Sequence, residues 1–113
     1  MNIRRGTLYL ADLKIRRSTE PAKIRPVLVI QMDWLNELEH PSVLILPCTT
    51  RLEGENRLRV QVPKGTAGNS RDCEIMIDQG RAIDSRCFVK SLHPLPEDVL
   101  QEVDEKLKYA NEL

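Results

Sequence analysis

Aromatic residues are scarce in this sequence and make up 4% of its 113 positions. The core is therefore expected to be aliphatic, and the β-branched share of its Val and Ile residues favours strands. No apolar run is long enough to span a bilayer and no secretion signal is recognisable, so we expect a cytoplasmic protein that does not contact membranes. The length fits a single domain covering residues 1–113.

An excess of either charge is also missing, since the formal net charge is zero. A neutral chain has no general attraction for nucleic acid, but the charges here are unevenly distributed. Acidic residues dominate positions 96–113. The basic residues of the first 25 positions are Arg4, Arg5, Lys14, Arg16, Arg17, Lys23 and Arg25. A basic surface of this kind attracts phosphates, and two solvated faces without a partner are an equally good interpretation.

Closely spaced cysteines, which mark zinc knuckles and redox motifs, are absent. The three cysteines are Cys48, Cys73 and Cys87. Cys48 and Cys87 lie in apolar runs and are expected as small buried residues, which suits a reducing compartment. No combination of His, Cys and Asp has the spacing of metal ligands. The sequence therefore predicts neither a metal nor a cofactor.

Short segments of alternating or continuous apolar character predict a mainly β fold. The predicted strands are residues 7–13, 26–32, 42–48, 58–62, 73–78, 80–83 and 87–92. Pro47 is expected at a sheet edge or at the end of its strand, because proline cannot donate to a strand ladder. Residues 14–25 are polar and basic and predict a long loop of the kind that is often functional.

Two helices are expected between and after these strands. Residues 33–39 predict one or two turns, with Asp33 as N-cap and with Trp34, Leu35 and Leu38 facing inward. Residues 96–110 change to a helical period, with acidic residues at the start and lysines near the end. Together these elements predict a small antiparallel β-barrel whose C-terminal helix covers an opening or an edge.

Five segments, in order along the chain, carry recognisable motifs. They are residues 5–13 (RGTLYLADL), 23–30 (KIRPVLVI), 44–50 (LILPCTT), 78–84 (DQGRAID) and 103–107 (VDEKL). Together they resemble the MazF/PemK family of toxin endoribonucleases, also called mRNA interferases, over nearly the whole chain. Two positions depart from the family pattern: Thr7 stands where an acidic residue is usual, and Cys73 stands where serine is frequent.

The resemblance implies an SH3-like antiparallel β-barrel of the MazF/CcdB-like toxin fold and an endoribonuclease that cuts single-stranded RNA without a metal. The ribose 2′-hydroxyl attacks the adjacent phosphorus, which leaves 2′,3′-cyclic phosphate and 5′-hydroxyl ends. The implied catalytic residues are Arg25, whose planar fork of donors suits a charged phosphorane, and Thr49, whose hydroxyl can donate to a phosphate oxygen. A homodimer and a cognate antitoxin protein are implied as well. Taken alone, Arg25 before Pro26 and Thr49 before Thr50 are also ordinary structural residues.

Candidate RNA-binding residues lie in the basic loop and within two of the motifs. They are Lys14, Arg16, Arg17, Lys23, Thr50, Gln79 and Arg81. Gln79 and Arg81 share a face if both lie in one strand. For Arg81 a structural role is slightly favoured, through a pairing with Asp84.

Other polar and aromatic residues have weaker claims to the site. Arg57 and Arg59 either track phosphates or carry charge on a solvated edge strand. His40 and His93 offer the acid–base chemistry of a ribonuclease, but they lie outside the matched segments and are not favoured. Trp34 either stacks on a base or, more simply, covers the short helix.

Two functions of other classes stay open at this point. A toxin of the same fold that poisons DNA gyrase depends on a C-terminal Trp-Gly-Ile, whereas this chain ends in residues 111–113 (NEL). A non-catalytic SH3-like module binds peptides in an aromatic-lined groove, for which Tyr9, Phe88 and Tyr109 are too few and too scattered. The endoribonuclease prediction is the stronger one.

Overall fold

The computed structural model describes residues 1–14 and 23–113, which form seven β-strands and two α-helices. The strands are β1 (Thr7–Asp12), β2 (Ile24–Val29), β3 (Ser42–Thr49), β4 (Arg59–Val62), β5 (Cys73–Met76), β6 (Arg81–Asp84) and β7 (Phe88–Pro94). The helices are α1 (Asp33–Glu37) and α2 (Glu97–Ala110), and single 3-10 turns span Ile77–Gln79 and Ser85–Cys87. The prediction of a mainly β fold with a C-terminal helix is confirmed.

The strands form an antiparallel sheet in the order β4-β5-β3-β2-β1-β7, with β6 paired to β3 beside this path. The sheet is open, so it is not the hydrogen-bonded closed barrel that the strand pattern suggested. Closure would require β4 to pair with β7. Instead, the backbone of β4 is contacted from helix α2, where Lys106 Nζ donates to the carbonyl oxygen of Arg59 over 2.8 Å.

Each side of the sheet has its own apolar core, because successive side chains of a strand point to opposite faces. The helix face includes Leu8 and Leu28 and is covered by helix α2 through Val103. The Tyr9 face is the opposite side, where the Tyr9 ring meets Phe88 edge-on with centroids 5.3 Å apart. Both cores are aliphatic apart from this aromatic pair, as the composition predicts.

Helix α2 is anchored at Gly6, just before β1. Gly6 has a φ of +83°, and a Cβ added there would lie 2.8 Å from a methyl carbon of Leu100 on α2. Its amide donates to Val29 and its carbonyl accepts from Leu95. The glycine is therefore required both by its backbone conformation and by the close approach of the helix.

Strand β2 begins earlier and ends earlier than the sequence indicated. It starts at Ile24, because pairing with β1 extends from Leu28 to Ile24, opposite Asp12. It stops at Val29, after which the chain turns towards α1. The consequence for the site is that Arg25 lies inside a strand rather than in the preceding loop.

Helix α1 differs from its prediction in its cap and in its packing. Met32 occupies the N-cap position, while the carboxylate of Asp33 accepts from the backbone amide of Arg5 over 2.7 Å. Trp34 and Leu38 are 63% and 61% exposed, so the expectation that they face inward is wrong. Polar contacts hold this short helix instead. Among the described residues, no helix is long and apolar enough to cross a membrane.

Candidate active site

A cleft opens where strands β2 and β3 separate. The two strands pair from Val29–Ile45 as far as Val27–Pro47. Beyond that pair, β3 stays in the sheet through its other edge, where Cys48 and Thr49 pair with β5. Pro47 and the next residue on the partner strand, Pro26, have no N–H to donate, so the ladder cannot continue in the usual way. Pro47 thus lies inside a central strand, but it marks the place where its pairing with β2 ends.

The cleft has a volume of about 340 Å³ and is lined by residues from β2, from the end of β3 and from the β4–β5 turn. Arg25 is exposed at its rim. Thr50 lines it together with Ser70, Arg71 and Cys73. Thr49 is absent from this lining because its side chain points to the other face of β3 from Cys48 and Thr50.

Arg25 and Thr49 share the Tyr9 face of the sheet. Arg25 pairs with Ala11, a member of the Tyr9 core. The β2–β3 pairing ends at Val27–Pro47, and Arg25 and Thr49 each lie two residues beyond that pair. Arg25 and Thr49 lie beyond the last paired residues, but alternation along each strand turns both side chains to the face of Ala11 and Ile45. The guanidinium and the hydroxyl therefore project from the same face at the point where the strands separate.

The hydroxyl of Thr49 is held by the backbone that follows it. Its Oγ1 accepts a hydrogen bond from the amide of Arg51 over 3.1 Å. A threonine hydroxyl has one proton to donate and lone pairs to accept with. Because the Arg51 amide occupies a lone pair, the proton of Thr49 stays available to a phosphate oxygen.

Glu74 is a fully buried carboxylate directly opposite Thr49 in the β3–β5 ladder. Its Oε1 accepts from the amide of Glu53 over 2.9 Å and from Arg59 Nη1 over 3.0 Å. Its Oε2 accepts from the amide of Gly54 over 2.9 Å and from Gln61 Nε2 over 2.8 Å. Burial is the largest single influence and opposes ionisation, but these bonds and the Arg59 charge outweigh it and lower the pKa of Glu74.

The β4–β5 turn contributes cleft residues that the sequence analysis missed. Asn69 is buried, and its Nδ2 donates to the carbonyl oxygens of Val62 and Arg71 over 3.1 and 2.7 Å. These bonds fix the turn so that Ser70 and Arg71 reach the cleft. The Arg71 side chain makes no hydrogen bond or ion pair with the residues that the structure describes. In the sequence, Arg71 is distinguished only by its place in a polar turn, a feature that many sites share.

The two thiols beneath the cleft are structural. Cys48 and Cys73 are both buried, and Cys73 Sγ accepts from Asn69 Nδ2 over 3.8 Å. The hydrogen bond to Cys73 and burial both raise the pKa of the Cys48 thiol well above its usual value. The third cysteine, Cys87, is partly exposed. Within residues 1–14 and 23–113, no three His, Cys, Asp or Glu side chains are grouped closely enough to hold a metal ion.

The candidate RNA-binding residues of the basic loop are only partly described. Lys14 and Lys23 flank it, and their amides both donate to Asp12 Oδ1 over 3.1 Å, which brings the two loop ends together. Lys14 lines a separate depression with Asp12 and Arg86. Arg16 and Arg17 lie outside the described residues.

Gln79 and Arg81 do not share a strand, so the geometric premise of their pairing is wrong. Gln79 lies in the 3-10 turn that follows β5, and Arg81 begins β6 opposite Ile45. A single helical turn breaks the two-residue alternation on which the prediction depended. Among the described residues it is Arg86, not Arg81, that engages Asp84, with Nη2–Oδ2 and Nε–Oδ1 distances of 2.8 and 3.0 Å.

Arg57 and Arg59 have structural partners. Arg59 is 15% exposed and pairs with both Glu74 and Glu53, and the Arg57 guanidinium lies 4.9 Å from the centre of the Tyr109 ring. His40 is exposed and its Nδ1 is within 2.8 Å of the Ser42 carbonyl oxygen. His93 is exposed in β7, and neither histidine lines the Arg25 cleft.

The chain is similar to characterised toxins over nearly its whole length. Residues 4–110 match a family described as the PemK-like, MazF-like toxin of type II toxin–antitoxin systems. Endoribonuclease EndoA of Bacillus subtilis is 30% identical over 111 residues, which cover 97% of this chain and 95% of the relative. This identity and coverage establish common family membership.

Solved structures of similar toxins share the fold. A MazE–MazF structure from Deinococcus radiodurans has a TM-score of 0.82 and 25% identity, covering 100% of this chain and 98% of the other. The Mycobacterium tuberculosis toxin MazF-mt6 has a TM-score of 0.78 and 20% identity, covering 95% and 97%. The chain therefore belongs to the PemK-like, MazF-like family of toxins of type II toxin–antitoxin systems, whose activity is the cleavage of RNA.

Proposed function

We propose that this toxin cleaves single-stranded RNA at the separation of β2 and β3, with Arg25 and Thr49 as its catalytic residues and without a metal ion. The observation that carries the proposal is the register of the two strands. Where this register ends, strand alternation places the Arg25 guanidinium and the Thr49 hydroxyl on one face of the sheet, and Arg25 also lines the cleft at this separation. The same arrangement gives no support to gyrase poisoning or to an aromatic peptide groove.

In this mechanism the attacking group belongs to the substrate. The ribose 2′-hydroxyl gives up its proton to solvent as its oxygen forms a bond to the adjacent phosphorus. The bond to the 5′-oxygen breaks and that oxygen takes up a proton from solvent, which yields a 2′,3′-cyclic phosphate and a 5′-hydroxyl. Charge accumulates on the non-bridging oxygens of the phosphorane. Arg25 supplies two parallel N–H donors for that charge, and Thr49 supplies a third donor. Arginine is a poor base at neutral pH, so Arg25 acts as an electrostatic stabiliser.

The cleft that Arg25 lines, on the opposite side of β3 from the Thr49 side chain, binds the RNA that continues from the scissile phosphate. Thr50 and Arg71 line it and offer a hydroxyl and a positive charge. Lys14 and Lys23 add positive charge where the chain leaves β1 and enters β2, and Arg16 and Arg17 lie between them in the sequence. Gln79 and Arg81 are exposed beyond the far end of β5 and serve as peripheral contacts. Phosphate contacts of this kind give affinity without sequence preference.

The chain acts as a homodimer in the cytoplasm and is inhibited by a cognate antitoxin. With a net charge of zero, a monomer has little general attraction for RNA. A two-fold axis doubles the basic surface near Arg25 and so concentrates positive charge. The Deinococcus radiodurans relative is solved together with its MazE antitoxin, which supports an equivalent partner here. An acidic, disordered antitoxin segment would compete for the same basic surface.

Cleavage of a long single-stranded RNA in the presence of EDTA tests this proposal. The expected products carry 2′,3′-cyclic phosphate or 3′-phosphate ends and 5′-hydroxyl ends, which kinase labelling with and without phosphatase treatment distinguishes. Products with 5′-phosphates, or activity that disappears with EDTA and returns with a divalent cation, would contradict the mechanism. A double-stranded RNA of the same sequence is the matched control and should stay intact.

A further inference from the structure

We propose that the buried Glu74–Arg59 pair positions Thr49 for RNA cleavage by fixing the backbone of residues 51–54. The inference rests on the proposed role of Thr49 and assigns a further residue to the same reaction. Glu74 shares the face of Thr49, but it is fully buried and does not line the cleft, so it is a positioning residue rather than a catalytic one.

The first link joins Thr49 to the segment that follows it. Arg51 donates its amide hydrogen to Thr49 Oγ1 over 3.1 Å. The side-chain torsion of Thr49 therefore depends on where the Arg51 peptide lies. A shift of this peptide would release the hydroxyl to rotate, and its proton would no longer point consistently towards the phosphate.

The second link holds residues 51–54 against β5. Glu74 accepts the amides of Glu53 and Gly54, both over 2.9 Å. Arg59 bonds Glu74 through Nη1 and also lies 3.4 Å from the carbonyl oxygen of Arg51. Its Nη2 reaches Glu53 Oε2 over 2.6 Å. Residues 51–54 are exposed and lie in no helix or strand, so these bonds define their position.

The third observation is that Glu74 lies inside the sheet, between β3 and β4. Glu74 is 0% exposed and pairs with Thr49 on one side and Gln61 on the other. A buried charge is costly unless it is paired and fully hydrogen-bonded. Four donors meet this requirement here, and two of them are amides of the segment beside Thr49. An apolar residue would fill the same position in the sheet without holding that segment.

Substitution of Glu74 by glutamine tests the inference. The E74Q side chain keeps the shape but loses the charge and half of the acceptor capacity. We expect kcat to fall by roughly tenfold to a hundredfold while KM stays the same, because misplacement of a catalytic group affects the chemical step. R59K is the second variant, because lysine keeps the charge but cannot contact Arg51, Glu53 and Glu74 together. Circular dichroism and thermal unfolding establish that each variant is folded at the assay temperature.

D33N is the matched control. Asp33 is likewise a carboxylate that accepts a backbone amide, from Arg5 over 2.7 Å, and the Arg5 bond lowers its pKa. It is the first residue of α1, which follows the opposite end of β2 from Arg25. D33N should lower the melting temperature and leave kcat unchanged. A fall of kcat in D33N equal to that in E74Q would show that general destabilisation explains both, and would overturn the inference.

A double-mutant cycle separates this inference from the proposed function. Single-turnover cleavage is measured for T49A, E74Q and T49A/E74Q. If Glu74 acts through Thr49, E74Q should have no further effect in the T49A background. Additive losses, or a fully active E74Q beside an inactive T49A, would overturn the inference alone. An active T49A would overturn the proposed function instead.

Discussion

Thr49 and Glu74 face each other across the β3–β5 ladder, one partly exposed and the other fully buried. The buried carboxylate of Glu74 accepts four hydrogen bonds, and the hydroxyl of the partly exposed Thr49 is held by the segment that two of those bonds fix. In the candidate site, the hydrogen-bonded Glu74 in the interior therefore supports the proposed catalytic hydroxyl of Thr49 nearer the surface. This is the arrangement expected of a site that must hold its donors within a few tenths of an ångström of a productive geometry.

Removal of either proposed catalytic side chain should abolish most cleavage. We expect R25A and T49A each to lose roughly a hundredfold to a thousandfold in kcat, because preorganised donors stabilise the phosphorane. R25K should also be poor, since an ammonium cannot form the two parallel bonds of a guanidinium. Gel-based cleavage of an end-labelled RNA measures this. H40A and H93A are controls with near-normal rates, and an inactive histidine variant beside an active R25A would refute the assignment.

Arg71 should contribute to RNA binding rather than to the chemical step. It lines the cleft beside Arg25 and is exposed. R71A should raise KM with little change in kcat. It should also reduce the slope of the logarithm of the RNA-binding constant against the logarithm of salt concentration by about one, because one phosphate contact is lost. Fluorescence anisotropy over a salt series measures this. R4A is the control, because Arg4 pairs with Glu37 near α1; equal effects in both variants would show that only net charge matters.

Acid should weaken the folded state partly through Glu74. Its pKa is lowered on folding, so the folded state binds fewer protons than the unfolded chain. The stabilisation is complete above the ordinary glutamate pKa of about 4.3 and is lost as the pH falls through the lower folded value. Urea unfolding between about pH 6 and about pH 3 should therefore show a smaller loss of stability in E74Q than in the unmodified chain. If the free energy of unfolding depends on pH equally in E74Q and in the unmodified chain, Glu74 is not ionised in the folded state.

Gly6 should be intolerant of a side chain. G6A should lower the free energy of unfolding by about 1–2 kcal/mol for the positive φ alone, and further for the contact with Leu100. G65A is matched, because Gly65 has a φ of +85° and its added Cβ meets no atom within 4 Å. The difference between the two variants in chemical denaturation isolates the packing of α2. If G65A lowers the free energy of unfolding as much as G6A does, the approach of Leu100 has no energetic effect.

The assembly can be measured on active protein. Sedimentation at micromolar concentration should give twice the chain mass of 13.0 kDa. Cleavage at subsaturating RNA should weaken steeply with salt, because phosphate contacts release counterions. A preparation that sediments as a monomer and still cleaves RNA would rule out a groove that depends on the dimer. A salt-independent rate would show that the basic surface does not bind RNA.

The local sequence determined the elements with strong periodicity and the motifs of the family. Helix α2 follows from the apolar spacing of Val99, Val103 and Leu107, and the observed helix begins one residue after the predicted start. Strand β4 alternates between buried and partly exposed residues as its pattern predicts. Arg25 and Thr49 were proposed as catalytic because the short motifs around them resemble those of the family, and their role stays a prediction. In each case the information lies within a few neighbouring residues.

Tertiary structure decided what depends on distant partners. No local signal separates Glu74 from a solvated glutamate, because its burial requires β3, β4 and the segment 51–54 together. Trp34 was expected to face inward from a short predicted helix, yet it is 63% exposed, and polar contacts such as that of Asp33 with Arg5 hold this helix. The 3-10 turn at Gln79 and the cleft beside Arg71 likewise arise only when strands pair. Sequence patterns report preferences along the chain, whereas burial and the separation of β2 from β3 are properties of segments that meet only after folding.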